Sequence, residues 1–190
     1  MKAARKRFEE HTQVQEDAAR VVVVDESGVD TAMAPLYGWS LVGKPAVIEA
    51  PVRGDRISII AGLALDGLRD WMVIEGSING ELFLQWLREG LIPTLKKGDL
   101  VILDNCSIHK VDGVKQAIES AGARLMYLPP YSPDYSPMEN WYSKFKNSLR
   151  KEAARTKQAL IQAMVRASAT ISIENVCAWF EHCGWKAHYA

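Results

Sequence analysis

The spacing of apolar residues divides this chain into elements before any chemistry is considered. Val21–Val24 is an unbroken β-branched run, the pattern of a strand buried on both faces. Gly28 and Pro35 mark a turn region after it, and Tyr37–Val42 reads as a second strand closed by Gly43-Lys44-Pro45. Ile57–Leu65 is a third, closed by the hairpin signal Asp66-Gly67, and a short fourth is predicted through Trp71–Ile74. The period then becomes helical. Asn79 is placed to cap a helix running through about Glu89, with Gly90 at its end and Leu82, Phe83, Trp86 and Leu87 on its apolar face. Asp99–Asp104 is a strand, Val114–Ser120 a helix ended by Gly122, and Arg124–Leu128 a strand again. Pro137 opens a helix to about Arg155, at a position where its missing N–H costs nothing. Helices over roughly Lys157–Ala169 and Ile173–Cys183 complete the chain. Residues 2–19 lack Gly and Pro and predict one further short helix with a thin apolar face.

Hairpin-linked strands followed by strands separated by helices predict a mixed α/β sheet. Three antiparallel strands would come first and parallel strands after, with helices on both faces. A length of 190 residues fits one domain, able to bury roughly 70% of the surface of its unfolded form. Hydrophobic residues at 48% and charged residues at 24% are ordinary for a globular protein. The net charge is zero, so any argument for a polyanionic partner must rest on local charge. The three cysteines contain no Cys-x-x-Cys pair, which argues against a disulfide framework or a zinc site and for a reducing, cytoplasmic setting. No apolar run approaches the ~20 residues of a membrane span, and the charged N-terminus has no signal-peptide core.

Three acids stand at matching places in this scheme. Asp25 follows the first buried strand, Asp104 closes Leu-Val-Ile-Leu, and Glu139 lies just inside the helix opened by Pro137. In an open α/β sheet, functional groups gather beyond the carboxyl ends of parallel strands. Three carboxylates there repel one another unless cations neutralise them, and hard oxygen donors suit Mg²⁺ or Mn²⁺. Two such ions can drive phosphoryl transfer without a side-chain nucleophile. Taken singly, each acid has a plainer reading. Asp favours turns, and an acid in a first helical turn complements the macrodipole. Glu26, Asp30, Asp99 and Asp134 fit the pattern less well, since Asp99 opens its strand and Asp134 lies in a proline-rich loop.

Along the Pro137 helix, Met138, Trp141, Phe145 and Leu149 mark the core face, while Glu139, Ser143, Lys146 and Arg150 share a neighbouring one. Residues 144–157 hold Lys144, Lys146, Arg150, Lys151, Arg155 and Lys157 against the single acid Glu152. This is either a track for a phosphate backbone or a solvated helix face. Tyr131, Tyr135, Trp141 and Tyr142 are candidates to stack on bases, although Trp141 also fits the core. His109 could touch a phosphate or a base, or simply lie on the surface; Cys106 reads as inert packing.

Asp-Asn-Cys-Ser-Ile-His-Lys (104–110) and Leu-Pro-Pro-Tyr-Ser-Pro-Asp-Tyr-Ser-Pro-Met-Glu-Asn-Trp-Tyr-Ser-Lys-Phe-Lys (128–146) resemble the second and third catalytic blocks of DDE transposases. Asp-Glu-Ser-Gly (25–28), Tyr-Gly-Trp-Ser (37–40) and Gly-Lys-Pro (43–45) resemble the first. The 34 residues between Asp104 and Glu139 match the spacing of this superfamily, and the branch most similar is the bacterial insertion-sequence group of mariner-like elements. Ser136-Pro137 departs from the usual Asn-Pro of the family.

The resemblance implies an RNase H-like fold in which Asp25, Asp104 and Glu139 are both catalytic residues and ligands of two Mg²⁺ or Mn²⁺ ions. It implies cleavage at transposon ends followed by attack of the freed 3′-hydroxyl on target DNA. His109, Lys144, Lys146, Arg150 and Lys151 are then the expected DNA contacts. The expected partners are DNA, a separately encoded helix-turn-helix half, and a second copy of the chain in an active homodimer, in a nucleoid-associated setting. Residues 1–20 would be a linker remnant and 21–190 the catalytic domain, its C-terminal helices spanning about 151–190. Because only about 20 residues precede the first strand, a catalytically silent fragment that binds DNA or a full-length partner is the alternative. A receiver-like signalling domain is a third reading, opposed by the hairpin signals after Asp25.

Overall fold

The structure, a computed structural model, describes residues 2–10 and 17–186. Its centre is β1 (Val21–Asp30), flanked by β2 (Arg56–Ala64) on one side and β4 (Leu100–Leu103) on the other. β3 (Gly67–Glu75) and β5 (Arg124–Tyr127) complete the five-stranded order β3-β2-β1-β4-β5. β1, β2 and β3 pair antiparallel, whereas β4 and β5 run parallel to β1. The expected mixed sheet is therefore present. Alternation explains the valine run: Val21 and Val23 enter one core, Val22 and Val24 the other.

Helices α2 (Gly80–Trp86) and α3 (Val114–Ser120) cover the second of these faces. α4 (Pro137–Glu152), α5 (Lys157–Ala169) and α6 (Ile173–His182) cover the first. On α4, Met138, Trp141, Phe145 and Leu149 are buried as their spacing predicts, with Trp141 stacked on Phe145 at 4.7 Å. α1 (Lys2–Phe8) precedes the sheet and is shorter than the predicted helix, whose stretch 11–16 lies outside the described residues.

Three local predictions change. β1 does not stop at Asp25. It continues through Gly28 to Asp30, because β2 pairs with it along that whole length. Tyr37–Val42 forms no strand; residues 33–55 leave the sheet as a loop whose apolar side chains Leu36, Tyr37, Trp39, Leu41 and Val42 are exposed. A strand exists only by pairing, and the edge of β1 that this segment would need is taken by β2. Asn79 does cap α2, accepting from the Leu82 N–H, but Gly90 is not its stop. The chain goes on coiling through Leu87–Leu91 and Ile92–Thr94. Gly90 is small for another reason: a Cβ there would sit 2.2 Å from Asp70 Oδ2, the oxygen that accepts from Trp86 Nε1.

Candidate active site

Parallel pairing of β1 with β4 ends at Val23 and Ile102, so Asp25 and Asp104 both emerge just past the paired segment. β5 exits beside them through Leu128-Pro129-Pro130, and a single 3-10 turn (Pro133–Tyr135) leads into α4. Pro137 occupies the first turn of that helix, which sets Glu139 two residues further on. The Tyr142 hydroxyl donates to the Asp25 carbonyl at 2.9 Å and fixes α4 against β1. Asp25, Asp104 and Glu139 consequently line one cavity of about 450 Å³, with Asn105, the Pro129–Pro133 loop and Ser136. Tyr131, on the rim, has φ +55° and is 89% exposed, a backbone conformation that an L side chain adopts at some cost.

The electrostatics follow from this crowding. Burial pushes the Asp25 carboxyl up to about 7, Glu26 adds to the shift, and Glu139 and Asp104 add further repulsion. Its Oδ1 accepts from the Glu26 N–H at 2.8 Å. Asp104 moves the other way: His109 holds its carboxyl below the usual range, helped by the Cys106 N–H and opposed by burial. Glu139 is exposed and makes no side-chain hydrogen bond among the described residues.

The donor set suits a hard divalent cation: carboxylate oxygens, no thiolate on the cavity wall, and repulsion that a cation would relieve. Among the described residues, however, no three His, Cys, Asp or Glu side chains already close around one point tightly enough to hold an ion. The acids share a cavity and not a finished coordination sphere.

The expected DNA contacts separate. Lys146 and Arg150 lie on the Glu139 side of α4. The Lys146 ammonium is lowered by burial and by Arg150, with Arg56 also repelling it and Glu139 and Asp25 favouring it. Arg56, which sequence reading passed over, lies across Gly28, where a Cβ would meet its guanidinium at 3.1 Å. Lys144 points elsewhere and donates to Asn175 on α6. Lys151 is exposed. Arg155 donates to the carbonyls of Thr31 and Met33, and Lys157 pairs with Glu75 at 2.5 Å.

His109 is a correction. Its side chain is 0% exposed, with Nε2 2.7 Å from Glu26 and Nδ1 2.7 Å from Asp104, so it offers no surface to DNA. Burial alone would lower its imidazole, but Asp104 and Glu26 outweigh that and raise it to about 10. Tyr135, Trp141 and Tyr142 are likewise buried and unable to stack on bases, which leaves Tyr131. Cys106 is exposed and does not pack.

A mixed five-stranded sheet in the order β3-β2-β1-β4-β5 with helices on both faces, two acids at its parallel strands and a third in the following helix, has the architecture of an RNase H-like fold. The sequence profile of the DDE superfamily endonucleases matches residues 20–161, and the chain belongs to that family. The pre-cleavage Mos1 transpososome superposes with a TM-score of 0.80 at 14% identity, covering 96% of this chain and 58% of that one. The Mos1 mariner paired end complex with Mn gives 0.80 at 16% identity, with coverages of 96% and 58%. The catalytic domain of Mos1 mariner transposase gives 0.75 at 12% identity, with coverages of 96% and 86%. This chain thus spans a little over half the length of the transposases in the first two complexes. No curated protein matches it.

Proposed function

We propose that this chain is the catalytic domain of a transposase of the bacterial insertion-sequence branch. It would cut DNA at transposon ends and join the freed 3′-hydroxyl to target DNA. Asp25, Asp104 and Glu139 would hold two Mg²⁺ or Mn²⁺ ions, which when bound supply an activated nucleophile and stabilise the leaving oxygen. The observation that carries this reading is the convergence of the three acids on one cavity at the parallel edge of the sheet. Solved Mos1 structures with Mn and with a transposon end support it by analogy.

The remaining roles follow from position. Lys146 and Arg150 would meet phosphates beside the acids, Arg56 and Lys151 would extend that track, and Tyr131 would offer a ring to an unpaired base. Residues 21–190 would be the catalytic domain and 1–20 a linker. A helix-turn-helix half and a second copy of the chain are the partners this reading requires, in a nucleoid-associated setting. No helix among the described residues is long and apolar enough to cross a membrane.

The open arrangement of the acids favours one alternative, a silent piece that binds DNA or a longer partner. A nicking assay on supercoiled plasmid with Mn²⁺ decides between them. Wild type should nick, while Asp104→Ala and Glu139→Ala should lose at least 100-fold in rate with the fold intact. Equal nicking by all three proteins would refute the proposed site.

A further inference from the structure

We propose that Glu26 and the buried His109 form a pair that positions Asp104 for cation binding from behind the cavity. This rests on the metal-binding reading above. The imidazole is fully enclosed, and Phe83 lies against it with ring centroids 4.6 Å apart. Tyr127 donates to the His109 carbonyl at 3.0 Å, so the backbone of the turn is held as well. A ring buried this deeply is costly unless its nitrogens have partners. Both partners here are carboxylates from other elements: Glu26 at Nε2 and Asp104 at Nδ1, each at 2.7 Å.

The contact with Asp104 is a short ion contact that misses the alignment of a hydrogen bond, so Nδ1 has no second anchor. It falls on Oδ1, the same oxygen that accepts from the Cys106 N–H at 2.8 Å. Oδ2 is left without a protein partner among the described residues. Holding one oxygen and freeing the other is what orients a carboxylate ligand. Asp25 repeats the arrangement, its Oδ1 taken by the Glu26 N–H.

Strand alternation then gives the Asp25-Glu26 dipeptide two jobs. Asp25 lines the cavity, while Glu26 turns the other way to support His109, and neither Glu26 nor His109 lines the cavity. They are positioning residues and not ligands. Through them β1 controls the orientation of an acid carried by the segment after β4.

The test is Mn²⁺ binding by calorimetry in wild type, His109→Gln and Glu26→Gln, at a temperature where thermal melts show each protein folded. Wild type should bind, and each variant should bind about 10-fold more weakly or worse, the range typical for outer-shell partners of a ligand. Equal affinity in folded variants would overturn the pairing and leave a purely structural contact. No binding by wild type would instead overturn the metal-site reading. Should either variant not fold, the wild-type imidazole decides, followed by NMR during Mg²⁺ addition. Its resonances should move with the midpoint of binding, and a ring that does not respond overturns the proposal.

Discussion

At the scale of single residues, the acids do not share one environment. Asp25 sits where burial and Glu26 raise its carboxyl to about 7, whereas its value in an unfolded chain is 3.8. Between those values the folded form binds the extra proton, so the contribution of Asp25 to metal-free stability falls as pH rises from about 4 to about 7. Asp25→Asn should flatten that slope and make the metal-free protein more stable at pH 7.5 by about 1–2 kcal/mol. Thermal melts from pH 4.5 to 7.5 check this; parallel curves for the two proteins would mean Asp25 is not crowded. On α4, Lys146→Ala and Arg150→Ala should each reduce the slope of log affinity for DNA against log salt by roughly 1. Binding titrations at several salt concentrations measure it. An unchanged slope would reduce these cations to a solvated face.

Among the elements, α4 is the most legible and α1 the least. The period of Met138, Trp141, Phe145 and Leu149 announces the buried face of α4, and Pro137 its start. Nothing in the sequence of α1 shows what it covers. Arg5 forks onto Asp134 and reaches Ser132, with its guanidinium 4.5 Å above the Tyr135 ring. Phe8 stacks on that ring and meets Trp185 edge-on. Trp185 in turn donates to the Tyr135 carbonyl at 3.0 Å. The helix therefore braces the loop that forms one wall of the acid cavity. Arg5→Ala should leave the sheet unchanged but speed hydrogen exchange at Tyr135 and Ser136 several-fold. Their N–H groups bond only within that turn, to Ser132 and Pro133. Unaltered exchange would show that the loop holds itself. The Asp134 position illustrates why sequence falls short here: a turn former by local reasoning, it is also the anchor for a residue 129 positions away.

For the whole molecule, apolar content and burial part company in the loop 33–55. Trp39 is 102% exposed while Trp141 is 1% exposed. Trp39→Ser should change stability by no more than about 0.5 kcal/mol, whereas Trp141→Ala should cost about 3–5 kcal/mol. Denaturant melts of the two variants test the architecture directly; a large loss from Trp39→Ser would mean the loop packs onto the body. Thr31 and Asp55 pin the base of the loop, the Asp55 N–H donating to the Thr31 hydroxyl at 3.0 Å, and Arg155 straps it to the end of α4.

The sequence by itself determined most of the elements. Hydrophobic period, caps and prolines act over a few residues, so β2, β4, β5 and the helices α3 to α6 can be read within a residue or a few of their bounds, as can the start of β1. That Asp104 follows β4 and that Glu139 lies in the first turn of α4 were legible for the same reason, whereas Asp25 lies within β1 and not at its end. Only the tertiary structure decided which strand edges were free, and so turned Tyr37–Val42 into a loop and let β1 run to Asp30. It alone buried His109 between Glu26 and Asp104, and split the basic run of α4 so that Lys146 faces the acids while Lys144 faces α6. These outcomes depend on contacts between residues far apart in the chain. No local propensity encodes them, because each is set by which surfaces remain after the rest of the molecule has packed.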